Sequence, residues 1–172
     1  MFQSTTLRHA TSALALSLVL GLVACGGDKA PKDGEMMDPT PAPVQTAAID
    51  GATEFANTCA VCHQATGEGM AGVYPPLAGS DIAILPSPDR MIAVVLKGLN
   101  GPVTVKGEKY DGTMAPWESL SDAQIAAITT YERSSWGNTA SAVTPEMVAA
   151  VRTKVAGRTT AWTIEELEKD VP

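Results

Sequence analysis

Five consecutive residues, Cys59-Ala60-Val61-Cys62-His63, constrain this chain more than any other stretch. C-x-x-C-H is the attachment signature of a c-type haem. Two thiols three positions apart, at the end of one helical turn, can each add across one of the two vinyl groups on a single porphyrin edge. The next residue, His63, then lies beneath the macrocycle and offers an imidazole nitrogen to the iron. The expected cofactor is one haem c, held covalently by Cys59 and Cys62.

Other uses of the pentapeptide fit the rest of the chain less well. A structural zinc site needs four Cys or His ligands. The whole chain has three cysteines and two histidines, and the two outside the motif, His9 and Cys25, lie in an N-terminal targeting segment. A thioredoxin-like redox pair calls for a strand-turn-helix setting, and nothing around Cys59 reads as a strand. A plain disulfide between Cys59 and Cys62 leaves His63 without a purpose.

Residues 1–24 read as a secretory signal. A short polar start with Arg8 and His9 precedes an apolar run from Ala10 to Ala24. That run is too short to span a bilayer comfortably and matches the core of a signal peptide. It ends in Leu22-Val23-Ala24-Cys25, which resembles the lipobox of bacterial lipoproteins. The resemblance implies cleavage before Cys25 and lipid attachment to its sulfur and new amino group, several acyl chains being what stable anchoring requires. The other reading is an ordinary signal with an incidental cysteine. Residues 25–48 hold Pro31, Pro39, Pro41 and Pro43 and few large apolar side chains, the composition of a flexible Pro-rich tether. The expected location is the bacterial cell envelope, on the periplasmic side, lipid-anchored to a membrane.

Cleavage removes Arg8 from the 12 basic side chains and none of the 19 acidic ones, so the net charge goes from −7 to −8. Nucleic acid, which calls for a basic face, is excluded as a partner. Arg90, Lys97, Lys106 and Lys109 are concentrated in one stretch of an otherwise acidic chain. They read either as a salt-sensitive docking face or, more plainly, as scattered solvated charge.

Helical patterning begins at Ile49 and runs to about Val61, with Asp50 as cap. Gly67 and Gly69 break the chain, and Gly72-Val73-Tyr74-Pro75-Pro76-Leu77-Ala78-Gly79 is a loop by composition. A second helix starts with Ser87 as cap and Pro88 at the first helical position, and runs to about Lys97. Val103-Thr104-Val105 and Lys109-Tyr110 flank Lys106-Gly107-Glu108, the pattern of a short hairpin. Thr113 to Trp117 then makes a compact loop. Ser121-Asp122 opens the last main helix, to about Ser135, with Ile125, Ile128 and Tyr131 at helical spacing. Thr144-Pro145-Glu146 opens a shorter helix. Thr163-Ile164-Glu165-Glu166 has capping-box form and reads as a frayed acidic helix.

A haem that moves electrons usually takes a second axial ligand from the protein. With His9 lost, the methionines remain: Met36, Met37, Met70, Met91, Met114 and Met147. The first two lie in the tether. Met91 and Met147 sit within helices and read as packing or surface. Met70 is seven residues past His63, too close to cross easily to the opposite haem face. Met114 follows a glycine-rich turn and precedes a proline, so its thioether can approach the iron opposite His63. The expected iron ligands are His63 and Met114, with Met70 or an open position as alternatives. Thioether ligation raises the potential.

These residues resemble class I c-type cytochromes over about Asp50 to Arg158. The likeness rests on the C-x-x-C-H pentapeptide, on Tyr74 to Gly79, on Tyr110-Asp111-Gly112-Thr113-Met114-Ala115-Pro116-Trp117, and on Leu120 to Ile125 leading to Tyr131. Ser135-Trp136-Gly137-Asn138 is similar to a segment of haem domains in cytochrome subunits of membrane alcohol dehydrogenases and in haem-fused copper nitrite reductases. The resemblance implies that the first and last main helices cross, Gly51 and Phe55 meeting Ile128 and Tyr131. It implies too that a carbonyl of the Pro75-Pro76 loop accepts the outer imidazole proton of His63. Glu132 departs from the family pattern, where an apolar residue is common, and is expected to face solvent.

The expected fold is an all-α cytochrome c fold, three to five short helices around one covalent haem, with a small β-hairpin before the Met loop. Residues 49–158 would form the haem domain and residues 159–172 an acidic C-terminal tail. The expected function is electron transfer between redox protein partners, by a carrier and not an enzyme, with the membrane reached through the N-terminal lipid. Alternatives are a five-coordinate haem sensor or peroxidase-like enzyme, and an electron-entry subunit of a larger dehydrogenase or oxidase.

Overall fold

A computed structural model describes residues 48–172. The signal segment, the tether, Cys25, His9, Met36 and Met37 lie outside the described residues. Among the described residues there are six helices and one two-stranded sheet.

The first helix, α1 (Gly51–Thr58), starts where Asp50 accepts from the backbone N–H groups of Ala52 and Thr53, 3.3 Å each. It does not run through the pentapeptide as one rod. Cys59 forms a joint, and α2 (Ala60–His63) continues the turn, with the His63 N–H on the Cys59 carbonyl at 3.0 Å. The pentapeptide thus occupies the end of a helical run that reaches His63 and not Val61.

Helix α3 (Asp89–Lys97) begins one residue later than its sequence signals indicate. Pro88 is the cap residue, and Ser87 Oγ accepts from the Asp89 N–H at 3.3 Å. Met91, Ile92, Val95 and Leu96 give α3 its buried face. Strands β1 (Leu99–Val105) and β2 (Glu108–Met114) pair antiparallel from Leu99–Met114 to Val105–Glu108. Lys106 and Gly107 both have positive φ, 53° and 80°, the conformation of a tight two-residue hairpin turn. The hairpin is longer than the sequence pattern implied. Gly101, Pro102 and Gly112 masked its outer half, and Met114 ends a strand instead of sitting in a loop.

Helix α4 (Asp122–Ser134) opens on a complete capping box, Ser121 with Gln124. Helix α5 (Pro145–Lys154) is capped by Thr144 with Pro145 in its first turn. Helix α6 (Ile164–Asp170) has a second capping box, Thr163 with Glu166. It is not frayed. Trp162, Leu167 and Val171 are buried with Ile92 and Leu96 of α3, Ile125 of α4, and Val148 and Val151 of α5 in the largest apolar cluster. Each such aliphatic side chain removed from water contributes about 1.5–3 kcal/mol. The acidic charge of residues 159–172 sits on the outer side of an anchored segment.

Helices α1 and α4 cross closely. Gly51 lies against the Ala127 carbonyl, where a Cβ would stand 2.2 Å from the oxygen. Phe55, Cys59 and Ile128 form a second cluster under Tyr131 and Trp136. The rings of Phe55, Tyr131 and Trp136 stack mutually, with centroids 5.1–5.4 Å apart.

Candidate functional site

The two thiols, His63 and Met114 come together in one cleft of about 360 Å³, within the range of small-molecule and cofactor sites. Val61, Leu77, Ile82, Val94, Val103 and Trp117 are among its walls. The α1–α2 joint supplies Cys59, Cys62 and His63; α3 and the hairpin supply the other side. Met114 stands at the base of the hairpin, half-buried, with its backbone paired to Leu99. Gly98, at φ 77°, lets the chain pass the Met114 carbonyl, where a Cβ would stand 2.4 Å from the oxygen. Met70 is 49% exposed and is not a wall of the cleft. Met91, read from the sequence as packing, is buried and does line it.

His63 is held by its surroundings. Its Nδ1 lies 2.9 Å from the Pro75 carbonyl. A carbonyl only accepts, so Nδ1 carries the proton and Nε2 keeps its lone pair, the tautomer a metal ligand needs. Burial pushes the imidazole pKa down, more than the Pro75 bond pushes it up. The ring is therefore neutral under ordinary conditions, again the ligating form. Pro75 and Pro76 bring no N–H donor to this loop, and both lie outside the β1–β2 ladder. The position of the Pro75 carbonyl depends on Gly69, at φ 64°, where a Cβ would meet the Tyr74 and Pro75 carbonyl oxygens at 2.3 and 2.6 Å. The Gly69 N–H bonds back to the His63 carbonyl at 2.9 Å.

The loop after Pro76 is fastened by residues to which sequence reasoning assigned no role. Asn138 is buried, accepts from the Gly79 N–H at 2.8 Å, and donates to the carbonyls of Leu77 at 3.0 Å and Glu132 at 2.7 Å. Trp136 donates to the Ala65 carbonyl at 3.2 Å and covers Gly67. Arg133 is fully buried and donates to the carbonyls of Ala83, Leu85 and Ser141 at 2.8–2.9 Å. A buried arginine gives no apolar periodicity, so nothing in the sequence separates it from a surface one.

Glu132 does not face solvent. It is 3% exposed and is a wall of the cleft. Ile125, Ile128 and Thr129 precede it by seven, four and three residues and are all buried, so helical geometry places Glu132 on their face. Burial pushes its carboxyl up to about 8, against the opposing effect of a hydrogen bond with the Cys59 thiol. Burial, and next the Glu132 charge, push the Cys59 thiol up to about 12.

Of the basic stretch, Arg90 donates to the Val171 carbonyl, Lys97 pairs with Glu118 at 2.7 Å, and Lys106 reaches the Ala78 carbonyl at 3.3 Å. These three charges are tied into the fold and not scattered in solvent, while Lys109 is exposed on β2. No helix among the described residues is long and apolar enough to cross a membrane.

The cleft fits a porphyrin by the chemistry of its donors: two thiols on one edge, an imidazole with a free nitrogen, a thioether, and apolar walls. Comparison with known proteins gives the same answer. The cytochrome c family profile matches residues 48–136, just over half of the 172-residue chain. The chain belongs to the cytochrome c family. Its cofactor is haem c, one for the single described domain. Cytochrome c-552 of Thermus thermophilus is 42% identical over 95 residues, covering 54% of this chain and 64% of that protein. The cytochrome c subunit of a quinone alcohol dehydrogenase from Gluconacetobacter polyoxogenes is 34% identical over 95 residues, 55% of this chain and 20% of that protein. The fructose dehydrogenase cytochrome subunit of Gluconobacter japonicus is 34% identical over 113 residues, 62% of this chain and 23% of that protein. The chain thus spans a little under two thirds of this Thermus relative and about a fifth of the dehydrogenase subunits.

Proposed function

We propose that this cytochrome is a lipid-anchored, single-haem electron carrier of the periplasmic side of a bacterial envelope, shuttling between redox protein partners. Cys59 and Cys62 hold the porphyrin through thioethers, and His63 Nε2 and the Met114 sulfur hold the iron. Cys25 carries the lipid, and residues 25–48 let the haem domain reach its partners. The haem supplies the one-electron chemistry.

The protein's own residues do the rest. Pro75 fixes the imidazole plane and keeps its proton on Nδ1. The apolar walls exclude water, which holds the reorganisation accompanying electron transfer small and supports a raised potential. Val61, 79% exposed between the two cysteines, leaves the attachment turn open to solvent on that side, where a partner could approach the bound group.

The single observation that carries this reading is the His63–Pro75 bond in the same cleft as both thiols and Met114. Visible spectra test it. The parent should show a pyridine haemochrome of the two-thioether type and a weak methionine-to-iron band in the red. Met114→Ala should lose that band and Met91→Ala should keep it. Ready carbon monoxide binding by the parent, with no such band, would instead establish the five-coordinate sensor or peroxidase-like reading. Mass spectrometry of the N-terminal peptide should find a lipidated Cys25, absent from Cys25→Ser. A second reading, electron entry within a larger dehydrogenase, is favoured by the relatives that are dehydrogenase cytochrome subunits. Co-purification of the tagged chain with a dehydrogenase subunit at fixed stoichiometry would select it.

A further inference from the structure

One buried ionisable group in the cleft has no part in holding the haem. Glu132 sits on the inner face of α4, 3% exposed, in the cavity that Cys59, Cys62 and His63 also line. Among the described residues no opposite charge forms an ion pair with it. Its neighbour Arg133 turns away and spends its donors on the carbonyls of Ala83, Leu85 and Ser141. Asn138 bonds the Glu132 main-chain carbonyl, not its carboxyl.

The charged groups of the elements around it are engaged elsewhere. On α1, Glu54 accepts from Gln124 Nε2 at 3.1 Å. On the segment before α3, Asp81 accepts from the Lys106 N–H at 3.0 Å. On α3, Lys97 pairs with Glu118, Asp89 with Lys154 of α5, and Arg90 bonds the Val171 carbonyl. On α5, Arg152 pairs with Asp122, and Glu146 is held by Thr144 at the helix start. The titratable groups sharing the cavity with Glu132 include Cys59, Cys62, His63, Tyr74, Tyr110 and Asp111. Of these, the Cys59 thiol is the one whose titration and that of Glu132 act on each other.

Haem attachment changes that contact. The thiol adds across a vinyl group: the S–C bond forms at one vinyl carbon and the hydrogen formerly on sulfur ends on the other. The thioether sulfur has no proton to give, so Cys59 can no longer act as a donor toward a Glu132 carboxylate. The protonated carboxyl, which needs no such donor, is then favoured. A buried group in low dielectric also feels a unit change of charge on a nearby centre far more strongly than an exposed one. Such a change accompanies each gain or loss of an electron by the cofactor.

We propose that Glu132 is a redox-linked proton site: its carboxylate takes one proton from water as the haem gains one electron, and returns that proton as the electron leaves. The electron comes from the redox partner and the proton from solvent, so charge in the cleft is conserved across the cycle. The inference rests on the haem reading above and adds a ligand, the proton, to that site.

The test is the midpoint potential of the full-length holoprotein in detergent, by spectroelectrochemistry from pH 5 to 9.5. The wild type should show a potential that falls with rising pH across a bounded window, with a slope approaching about 59 mV per unit, tenfold in proton activity for one electron. Glu132→Gln should be flat across that window, with haemochrome and methionine band unchanged. Reduced-minus-oxidised infrared spectra should show a protonated-carboxyl band in the wild type that Glu132→Gln lacks. The infrared measurement on the wild type decides the matter alone should the variant fail to take up haem. A pH-independent wild-type potential, or a slope that survives in Glu132→Gln, overturns the proposal and places any coupled proton on other groups. A protein that yields no haemochrome at all overturns the haem reading itself, and this inference with it.

Discussion

Replacing Gly51 by alanine should destabilise the domain, although alanine is the better helix former. Gly51 is the first residue of α1, its φ is ordinary, and helix propensity alone would favour Gly51→Ala by up to about 1 kcal/mol. The structure reverses that sign. The new Cβ would stand 2.2 Å from the Ala127 carbonyl oxygen, 2.8 Å from its carbon and 3.0 Å from Tyr131 Cβ. Two of these atoms are α4 backbone and cannot rotate away. Ordinary contact begins at 3.4 Å, so α1 must withdraw by 1.2 Å at this point. A gap of about 0.5–1 Å already forfeits a quarter to a half of each dispersion contact it opens. The contacts at risk are Phe55 on Ile128 and the stack of Phe55 with Tyr131 and Trp136. Overpacking costs about 1–3 kcal/mol, and each weakened aromatic pair adds a share of about 0.5–1.5 kcal/mol. Net of propensity, the loss should be about 2–4 kcal/mol, or roughly 5–15 °C in Tm for a domain of this size. Guanidinium denaturation of the holoprotein, with Gly157→Ala beside it, makes the comparison. A Cβ on Gly157 meets nothing within 4 Å, so that variant should be neutral or gain up to about 1 kcal/mol. A Gly51→Ala protein as stable as the parent would refute close backbone contact between α1 and α4.

Three further outcomes are expected. Arg133→Leu removes the donor to three carbonyls, that of Ala83 in a fully buried bond, and should cost about 3–5 kcal/mol in chemical denaturation, with Arg133→Lys recovering only part because an ammonium lacks the planar fork. Trp162→Ala should cost about 3–5 kcal/mol, and Trp162→Phe about 1 kcal/mol for the lost bond from Nε1 to the Ala93 carbonyl; a value near zero for both would mean that residues 159–172 do not anchor the fold. Glu132 makes stability depend on pH. Burial raises its folded-state pKa from 4.5 to about 8, so the native state binds more protons than the unfolded one between those values. Stability should therefore fall as pH rises through that window and level off above it, by roughly 2–5 kcal/mol in all. Denaturation midpoints of wild type and Glu132→Gln at pH 4.5, 6.5 and 9 should diverge in that direction.

The parts of the site legible in the sequence are those whose chemistry is local. Five adjacent residues define the attachment turn, and the Asp50, Ser121, Thr144 and Thr163 caps follow from residue type at a helix start. What escaped depends on distance along the chain. Glu132 is charged, and charge argues for a solvent face, yet the spacing from Ile125 and Ile128 already pointed inward. In that conflict the helical period was the better guide. Arg133 and Asn138 act by collecting carbonyls from segments about 50 to 60 residues away, and no local pattern announces such partners. The outer half of the hairpin was hidden because Gly101, Pro102 and Gly112 are poor strand formers, overridden here by pairing with the neighbouring strand.

The last fourteen residues show how far that non-local wiring reaches. An acidic sequence after the final main helices has the composition of an accessory tail. Yet the Asn100 N–H donates to the Trp162 carbonyl at 2.7 Å, and the Trp162 N–H donates to the Gly98 carbonyl at 3.1 Å. Trp162 thereby forms a parallel bridge beside Leu99, the residue that pairs with Met114 on the other strand. Gly98, held by the same bridge, passes so near the Met114 carbonyl that a Cβ there would stand 2.4 Å from its oxygen. The root of the hairpin is thus pinned from outside by the C-terminal segment, and the thioether proposed as iron ligand is carried on that root. Arg158 over the Trp162 ring, 3.7 Å from its centroid, and the indole bond to Ala93 hold the segment in place. A sequence segment with no haem chemistry of its own therefore fixes the backbone from which Met114 projects.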